Sequence, residues 1–413
     1  MALRQNKQVL PIFIFDKHIL SDLIDPLDKR VQFIYQELLG LNVLLKKYHS
    51  AVHLFYGDPV TILAKLREES GFKAIYANED YEPYGLDRDK EVELKLKISG
   101  VNFNLYKDHV LCKPGEVLKN DLSPYTVYTP YCKKWKETVK LSPVTHYPSE
   151  LLLDHFILHI PKDILTLKEI GFKPQPVRYP DKVVSEEVIQ NYMATRNFPY
   201  LEKGTSQLGI HLRFGTISIR KLYHQVKSFE TTFLNELIWR EFFIQILYYH
   251  PRVIGASFKP AYDQVQWRND LKEFEAWCAG KTGYALVDAG MRELNETGKM
   301  HNRVRMVAAS FLCKHLLIDW RWGEAYFAGK LLDYELASNN GNWQWAAGTG
   351  CDAAPYFRIF NPHEQLRKFD PHLKYVLKWA PEYGEINQPP FLVDHAEARE
   401  RGLMTYARAL KSG

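Results

Sequence analysis

The sequence predicts an α/β N-terminal domain with a parallel sheet, followed by an all-α C-terminal domain. Up to about residue 130, short apolar runs alternate with amphipathic segments, which is typical of βαβ units. From about residue 186, apolar residues recur at spacings of three and four, as in packed helices. At 413 residues the chain is also too long for one ordinary core. We therefore predict an α/β domain over 1–130, a connector over 131–185 and a helical domain over 186–413.

The elements of the α/β domain can be read in order. Its strand-like runs are Val9–Phe15, Ala51–Tyr56 and Lys73–Ala77, and its helix-like runs are Arg30–Tyr48, Pro59–Glu68 and Arg88–Ile98. Strands joined through helices are expected to pair in parallel. None of the strand-to-helix turns carries G-x-G-x-x-G, so a Rossmann dinucleotide site is not expected here.

Residues 131–185 are predicted to connect the domains, because prolines are scattered there among polar residues. Beyond this connector the helical periodicity predicts a series of helices. The clearest are Phe233–Tyr249, Ala285–Thr297, Asn302–Leu317, Glu324–Asp333 and a last helix over His395–Leu410.

Composition indicates a folded protein, with 46% hydrophobic and 25% charged residues, and excludes a disordered or fibrous chain. The net charge of +5 favours an anionic partner only weakly. Five widely spaced cysteines without a C-x-x-C pair indicate neither disulfides nor zinc, so we expect a reducing, cytoplasmic location. No apolar stretch approaches the roughly 20 residues of a membrane span, and Val9–Phe15 is interpreted as a strand rather than a signal segment. We expect a monomer.

Two motifs are set aside. Gly280-Lys281-Thr282 resembles the end of a phosphate loop, but Glu275 stands where that motif needs glycine. His155 and His159 are four residues apart and could share a helix face as metal ligands, yet no third ligand stands near them in sequence. We expect no bound metal.

Three segments of the helical domain carry more polar groups than a core needs. In the first, Glu236, Trp239, Arg240 and Phe243 share one helix face, where the alternative to a binding site is a surface salt bridge between Glu236 and Arg240. In the second, one stripe carries Asn302, Arg305 and Met306. The third, residues 333–345, is interpreted as a helix end followed by a loop with several amides, one glycine and two indoles.

These segments, together with Thr349–Pro362, resemble the flavin domain of the photolyase and cryptochrome family, and the similarity covers nearly the whole chain. The resemblance implies that the helical domain binds FAD and that the α/β domain is of the antenna type. The positions that match the family's FAD contacts are Tyr192, Thr205, Ser206, Leu208, Phe233, Arg240, Arg305, Asp333, Glu335 and Asn339.

The resemblance also implies that ultraviolet-damaged DNA is the partner and that a pyrimidine dimer is flipped out beside the flavin. Trp239 and Trp345 would form apolar walls, Glu236 and Asn302 would hydrogen-bond the pyrimidine edges, and Met306 would pack on the dimer. The DNA backbone would be held by arginines at matching positions, which are Arg196, Arg303 and Arg358.

Three tryptophans match the family's chain of indoles that carries electrons to the flavin, namely Trp267, Trp320 and Trp343. Each could instead be an ordinary core residue.

Within the family, relatives that act on (6-4) photoproducts carry a histidine-containing segment where this chain has Asn302–Met306. Met306 cannot donate a proton, so cyclobutane dimers are the expected substrate. A cryptochrome-like blue-light photoreceptor without repair activity is the alternative.

The sequence departs from the family pattern at several positions. The family's first strand and most of the following helix are expected to be missing, which weakens any prediction of a second, deazaflavin- or folate-type antenna chromophore. Gly209 stands where serine is common, Glu335 replaces an aspartate, and Lys299 stands where an aromatic residue usually precedes Met-His-Asn.

Overall fold

A computed structural model describes residues 1–229, 231–353 and 355–411. The chain forms two compact units, each assembled from several stretches. The α/β unit consists of Met1–Leu111, Pro143–Pro180 and Phe214–Lys221, and the helical unit consists of Cys112–Ser142, Asp181–Arg213 and the chain from Leu222 onward.

The strands of the α/β unit are parallel, as predicted. Strand β1 (Ile12–Asp16) pairs with β2 (His53–Gly57), and β3 (Ala74–Asn78) pairs with β4 (Asn102–Tyr106). A long helix lies between the two strands of each pair, as parallel pairing requires. The described strands form two separate two-stranded sheets.

The helices of the α/β unit begin at residues suited to helix starts. Asp28 accepts a hydrogen bond from the backbone N–H of Arg30, and Asp58 accepts one from Thr61 and precedes Pro59. The helices that lie wholly in this unit are α1 (Ala2–Gln5), α2 (Lys17–Ser21), α3 (Lys29–Leu45), α4 (Pro59–Ser70) and α5 (Pro83–Ile98).

The helical unit contains most of the remaining helices. In chain order they are α6 (Tyr128–Leu141), α7 (Glu186–Thr195), α8 (Gly209–Arg213), α9 (Ile219–Val226, shared with the other unit), α10 (Thr231–Tyr249), α11 (Leu271–Cys278), α12 (Ala285–Thr297), α13 (Asn302–Ser310), α14 (Trp320–Lys330), α15 (Leu336–Ala347), α16 (Pro362–Phe369), α17 (Lys374–Trp379) and α18 (His395–Lys411).

The core of this unit surrounds α12 and α13. Val287, Leu294, Val304 and Ala308 are fully buried there, and Trp343 of α15 packs into the same cluster. Burial of this continuous apolar surface holds in place the polar side chains at the rim of the core.

Two predictions for this unit are wrong in detail. The helix predicted over Asn302–Leu317 ends as α13 at Ser310 and continues as a π-helical turn, Phe311–His315. The loop predicted after Asp333 is helix α15, which starts at Leu336. Burial of Ala337, Ala346 and Ala347 on its inner face outweighs the poor helix propensity of its glycine and asparagines.

The region predicted as a connector contains most of α6 and a short 3₁₀ segment, Ser149–His155, between irregular stretches. Over the described ranges, no helix combines the length and the apolar composition that crossing a bilayer requires.

Candidate functional site

A cleft of about 570 Å³ opens among α13, α14 and α15 of the helical unit. Eight of the residues predicted from the sequence line it: Asn302, Arg305, Met306, Asp333, Glu335, Asn339, Trp343 and Trp345.

A buried ion pair connects α10 to the start of α15. Arg240 Nη2 lies 2.6 Å from Glu335 Oε1, and the two side chains are only 11% and 4% exposed. Ser338 Oγ donates a second hydrogen bond to Glu335, at 2.7 Å. Since both oxygens of Glu335 accept from defined donors, the carboxylate is fixed at the edge of the cleft.

A second ion pair lies along the cleft. Arg305 Nη2 lies 3.0 Å from Asp333 Oδ2. Gly209 faces the same carboxylate, because a Cβ atom at this position would lie 2.6 Å from Asp333 Oδ2. The departure at Gly209 therefore makes room for Asp333 in this arrangement.

Asn339 is oriented by an acid that the sequence analysis did not single out. Its Nδ2 donates to Glu324 Oε1 at 2.8 Å and to the Glu324 carbonyl at 3.1 Å. Burial raises the pKa of Glu324, and the hydrogen bond from Asn339 opposes that rise. Asn339 also has a side-chain carbonyl oxygen, which can accept hydrogen bonds, and it lines the cleft.

The start of α13 is formed by His301, whose ring nitrogen accepts the Arg303 N–H at 3.1 Å. Burial, together with the charges of Arg305, Arg303 and Arg196, lowers the pKa of His301 to about 4. A neutral histidine therefore lies among three arginines. One turn along the helix, Asn302 Nδ2 lies 4.0 Å from Met306 Sδ.

Glu236 has a different partner from the one considered in the sequence analysis. Arg196 Nη1 lies 2.5 Å from Glu236 Oε1, while Arg240 pairs with Glu335. The alternative of a surface Glu236–Arg240 bridge is therefore wrong. Burial raises the pKa of Glu236, and the Arg196 charge opposes this rise.

Trp239 lies one helical turn beyond Glu236, and Tyr128 of α6 stacks on it. The ring centroids are 3.5 Å apart and the planes are 5° from parallel. Sequence reasoning missed Tyr128 because it stands in the region assigned to the α/β domain, more than 100 residues before Trp239. No local pattern signals such a contact.

The remaining predicted FAD contacts lie outside the lining of the cleft. Tyr192 and Phe233 meet edge to face with centroids 5.0 Å apart. Thr205 and Ser206 are half-buried, and Ser206 Oγ accepts the Leu208 N–H at 3.4 Å, while Leu208 is buried.

The three predicted relay tryptophans lie in or against the core. Trp320 and Trp343 are buried, and Trp267 packs on the same cluster. Trp343 lies 4.9 Å from Phe327 and 6.1 Å from Trp277, and Trp267 lies 5.9 Å from Tyr406, measured between ring centroids. The packing interpretation and the relay interpretation both fit these positions.

The arginines predicted to contact DNA are held by different neighbouring residues. Arg303 donates to Asn197 Oδ1 at 2.7 Å and lies 4.3 Å above the Phe369 ring. Burial lowers the pKa of Arg303, and the nearby charge of Arg196 lowers it further, so these two arginines form one positive region. Arg358 is exposed, and its carbonyl accepts a hydrogen bond at 3.0 Å from the buried Lys314.

The histidine pair set aside in the sequence analysis does not act together. His155 Nδ1 lies 2.6 Å from the Leu3 carbonyl, and His159 Nδ1 lies 3.0 Å from His53 Nε2.

Comparison with known proteins identifies the family of this chain. A family model described as DNA photolyase matches residues 1–149, and one described as the FAD binding domain of DNA photolyase matches residues 233–406. The deoxyribodipyrimidine photo-lyase of Halobacterium salinarum is 33% identical over an alignment of 446 positions, which covers 97% of this chain and 92% of that protein.

Solved structures extend the likeness to the fold. A class III photolyase from Agrobacterium tumefaciens has a TM-score of 0.86 at 31% identity, with 99% of this chain and 94% of that chain covered. An archaeal photolyase from Sulfolobus tokodaii, whose structure holds two FAD molecules, has a TM-score of 0.79 at 31% identity, with 98% and 94% covered. The likeness spans both units, and the chain belongs to the DNA photolyase family.

Proposed function

We propose that this chain is a deoxyribodipyrimidine photo-lyase, which uses light to split cyclobutane pyrimidine dimers in DNA. The observation that carries the proposal is the lining of the cleft, to which Asn302 and Met306, one turn apart on α13, and Trp345 of α15 all contribute. This lining offers an amide, a polarizable sulfur and an indole face, and a flipped base presents complementary edges and faces.

The residues around the cleft suit FAD. The fixed carboxylates, the Asn339 amide and two paired arginines supply acceptors, donors and positive charge at its edge. We propose that the ten positions named for FAD in the sequence analysis hold it, with Thr205 and Ser206 donating to its pyrophosphate. When bound and reduced, FAD would supply on excitation the electron that splits the cyclobutane ring, and it would take this electron back after the split.

Glu236 and Asn302 are proposed to hold the pyrimidine edges. A carboxyl group whose pKa is raised by burial can donate from its hydroxyl to a pyrimidine carbonyl and accept from a ring N–H. Asn302 supplies both a donor and an acceptor. Trp239, Trp345 and Met306 would exclude water and contact the faces of the dimer.

Arg196, Arg303 and Arg358 are proposed to bind the DNA phosphates around the flipped dimer. In the DNA-free protein, Arg196 pairs with Glu236. Binding of a dimer and its flanking phosphates would therefore compete for both members of this pair. Trp267, Trp320 and Trp343 are proposed to relay electrons inward to FAD.

We also propose that the protein acts as a cytoplasmic monomer. Its five cysteines are widely spaced and include no C-x-x-C pair, which suits a reducing compartment.

Light-dependent repair tests the proposal. Purified protein with reduced FAD is mixed with an oligonucleotide that contains one cyclobutane thymine dimer, and dimers are counted after blue light and after darkness. We expect loss of dimers only in the light, and no loss of (6-4) photoproducts under the same conditions. FAD-bound protein that undergoes photoreduction but leaves cyclobutane dimers intact would refute repair and favour the photoreceptor alternative.

A further inference from the structure

The contact between Tyr128 and Trp239 is unusual for two aromatic side chains. Aromatic pairs prefer offset or edge-to-face arrangements with centroids 4.5 to 7 Å apart, roughly, because their quadrupoles repel in a face-to-face sandwich. Here the centroids are 3.5 Å apart and the rings are 5° from parallel. An arrangement that the rings themselves disfavour has to be held by the contacts around it.

Tyr128 is held at two further points. Its hydroxyl donates to the Asn235 carbonyl at 2.9 Å, and its backbone N–H donates to Asp352 Oδ2 at 3.0 Å. In an α-helix the carbonyl of residue 235 is the one that accepts from the N–H of residue 239. The tyrosine hydroxyl therefore binds the turn of α10 that carries Trp239.

The same part of α6 holds Asn235 through its side chain as well. Lys136 Nζ donates to Asn235 Oδ1 at 2.9 Å, and Cys132 Sγ lies 3.6 Å from the same oxygen. Tyr131 adds a ring contact to Phe242, with centroids 5.3 Å apart. Helix α6 thus holds both the backbone carbonyl and the side chain of Asn235, one turn before the indole of Trp239.

We infer that Tyr128 is a positioning residue for the dimer site: it fixes the plane of the Trp239 indole against which the damaged base is held. This inference rests on the proposed function, and it assigns a role to a side chain outside the segments that the sequence analysis linked to the dimer. Asp352 extends the connection, because it lies in the segment that also carries Arg358. Tyr128 therefore connects the segment that carries Arg358, a proposed DNA contact, to Trp239 of the dimer site.

Two substitutions separate the ring from the hydroxyl. Tyr128→Leu removes the stack, and Tyr128→Phe keeps the ring and the Asp352 hydrogen bond but loses the hydroxyl. We expect Tyr128→Leu to weaken binding of a dimer-containing oligonucleotide by about 3- to 10-fold, the range of one aromatic pair. Affinity for undamaged DNA, FAD content and the repair rate at saturating DNA should change less than about two-fold. Tyr128→Phe should retain most of the dimer affinity.

A matched control lies three residues earlier. The ring of Tyr125 contacts that of Tyr131, with centroids 6.4 Å apart, and it does not stack on Trp239. Tyr125→Leu removes an aromatic ring from the same segment, and we expect it to leave the preference for dimers unchanged.

A double-mutant cycle distinguishes positioning from general support of the fold. If Tyr128 acts through Trp239, then Tyr128→Leu should have no further effect on dimer affinity in a Trp239→Ala background. An equal loss in both backgrounds, an equal loss of undamaged-DNA affinity, or an unchanged dimer affinity in Tyr128→Leu would each overturn the inference. A wild-type protein without preference for dimers would overturn the proposed function along with it, whereas a preference that survives Tyr128→Leu overturns this inference alone.

Discussion

Glu236 and Arg196 form the most consequential pair at the scale of single residues. The carboxyl group is partly buried, which favours its protonated form, and the guanidinium 2.5 Å away favours its ionised form. The proposed contacts to a pyrimidine need a proton on one oxygen of this carboxyl group. The charge of Arg196 therefore sets the pH at which Glu236 can donate.

Removal of Arg196 tests this balance. Arg196→Met leaves the burial of Glu236 in place and takes away the charge that opposes it, so the pKa of Glu236 should rise. The pH at which dimer affinity falls on titration with base should shift upward, after correction for the lost phosphate contact. An infrared titration of the Glu236 carboxyl, identified with Glu236→Gln, measures the same change directly. An unchanged or lowered midpoint would contradict this account.

The buried Arg240–Glu335 pair predicts a large effect on stability. Truncation of one partner leaves a buried charge without compensation, which costs roughly 3 to 5 kcal/mol. We expect Glu335→Ala to lower the free energy of unfolding by about that amount and to reduce FAD content, as measured by denaturant unfolding and flavin absorbance.

Glu364→Ala is the matched control for this substitution. Glu364 pairs with Arg367 on the surface, where the two side chains are 57% and 71% exposed. Exposed pairs contribute about 0 to 1 kcal/mol, so this change should be nearly silent. Similar losses in the two variants would show that burial does not determine the cost.

At the scale of elements, the sequence predicts the helices where periodicity and end signals agree. Helix α12 has the predicted bounds, Ala285–Thr297, and Gly298 follows it in the left-handed region with a φ of 73°. Helix α15 was missed because its glycine and asparagines signal a loop, whereas its stability comes from packing against α10 and α14. That packing partner is remote in sequence and leaves no local pattern.

Substitution of Gly341 tests how closely α15 packs against α10. A Cβ atom at this position would collide with the ring of Phe243 on α10, whereas a Cβ at Gly329 in α14 would meet nothing within 4 Å. Gly341→Ala should therefore destabilise the protein by about 1 to 3 kcal/mol through overpacking, although alanine favours helices. Gly329→Ala should stabilise it by roughly 0.4 to 1 kcal/mol. Thermal unfolding of both variants checks the opposite signs.

At the scale of the whole molecule, the sequence predicts the α/β and helical classes, and eight of the residues named from it line the cleft. It does not predict that residues 112–142 fold with the helical unit. Glu241 of α10 is one reason why this stretch folds with the helical unit. Its buried carboxylate accepts from the Cys112 N–H at 3.0 Å and from Trp135 Nε1 at 2.5 Å. A single buried acid thus joins stretches more than 100 residues apart. Such a pairing depends on the finished fold, and neither periodicity nor composition reveals it.

His315, which is buried, and His301, which is half-buried, predict how the helical unit responds to acid. Burial lowers the pKa of His301 to about 4 and that of His315 to about 3. Arginines 196, 303 and 305 face His301, and His315 faces His395, His363, Arg401 and Lys314. In the unfolded chain a histidine takes up its proton near pH 6.5, roughly, so the unfolded state binds protons first as the pH falls.

Stability should therefore be fully present above about pH 6.5 and should decrease as the pH falls toward 4, by about 1.4 kcal/mol for each pKa unit of each group. His301→Asn keeps an acceptor for the Arg303 N–H at the start of α13 and removes one titrating group. Its free energy of unfolding should therefore fall less steeply between pH 6.5 and 4. His146→Asn, a change at an exposed position, is the control and should leave the profile unchanged. If the wild-type and His301→Asn proteins lose stability in parallel over this range, then the acid response arises elsewhere in the molecule.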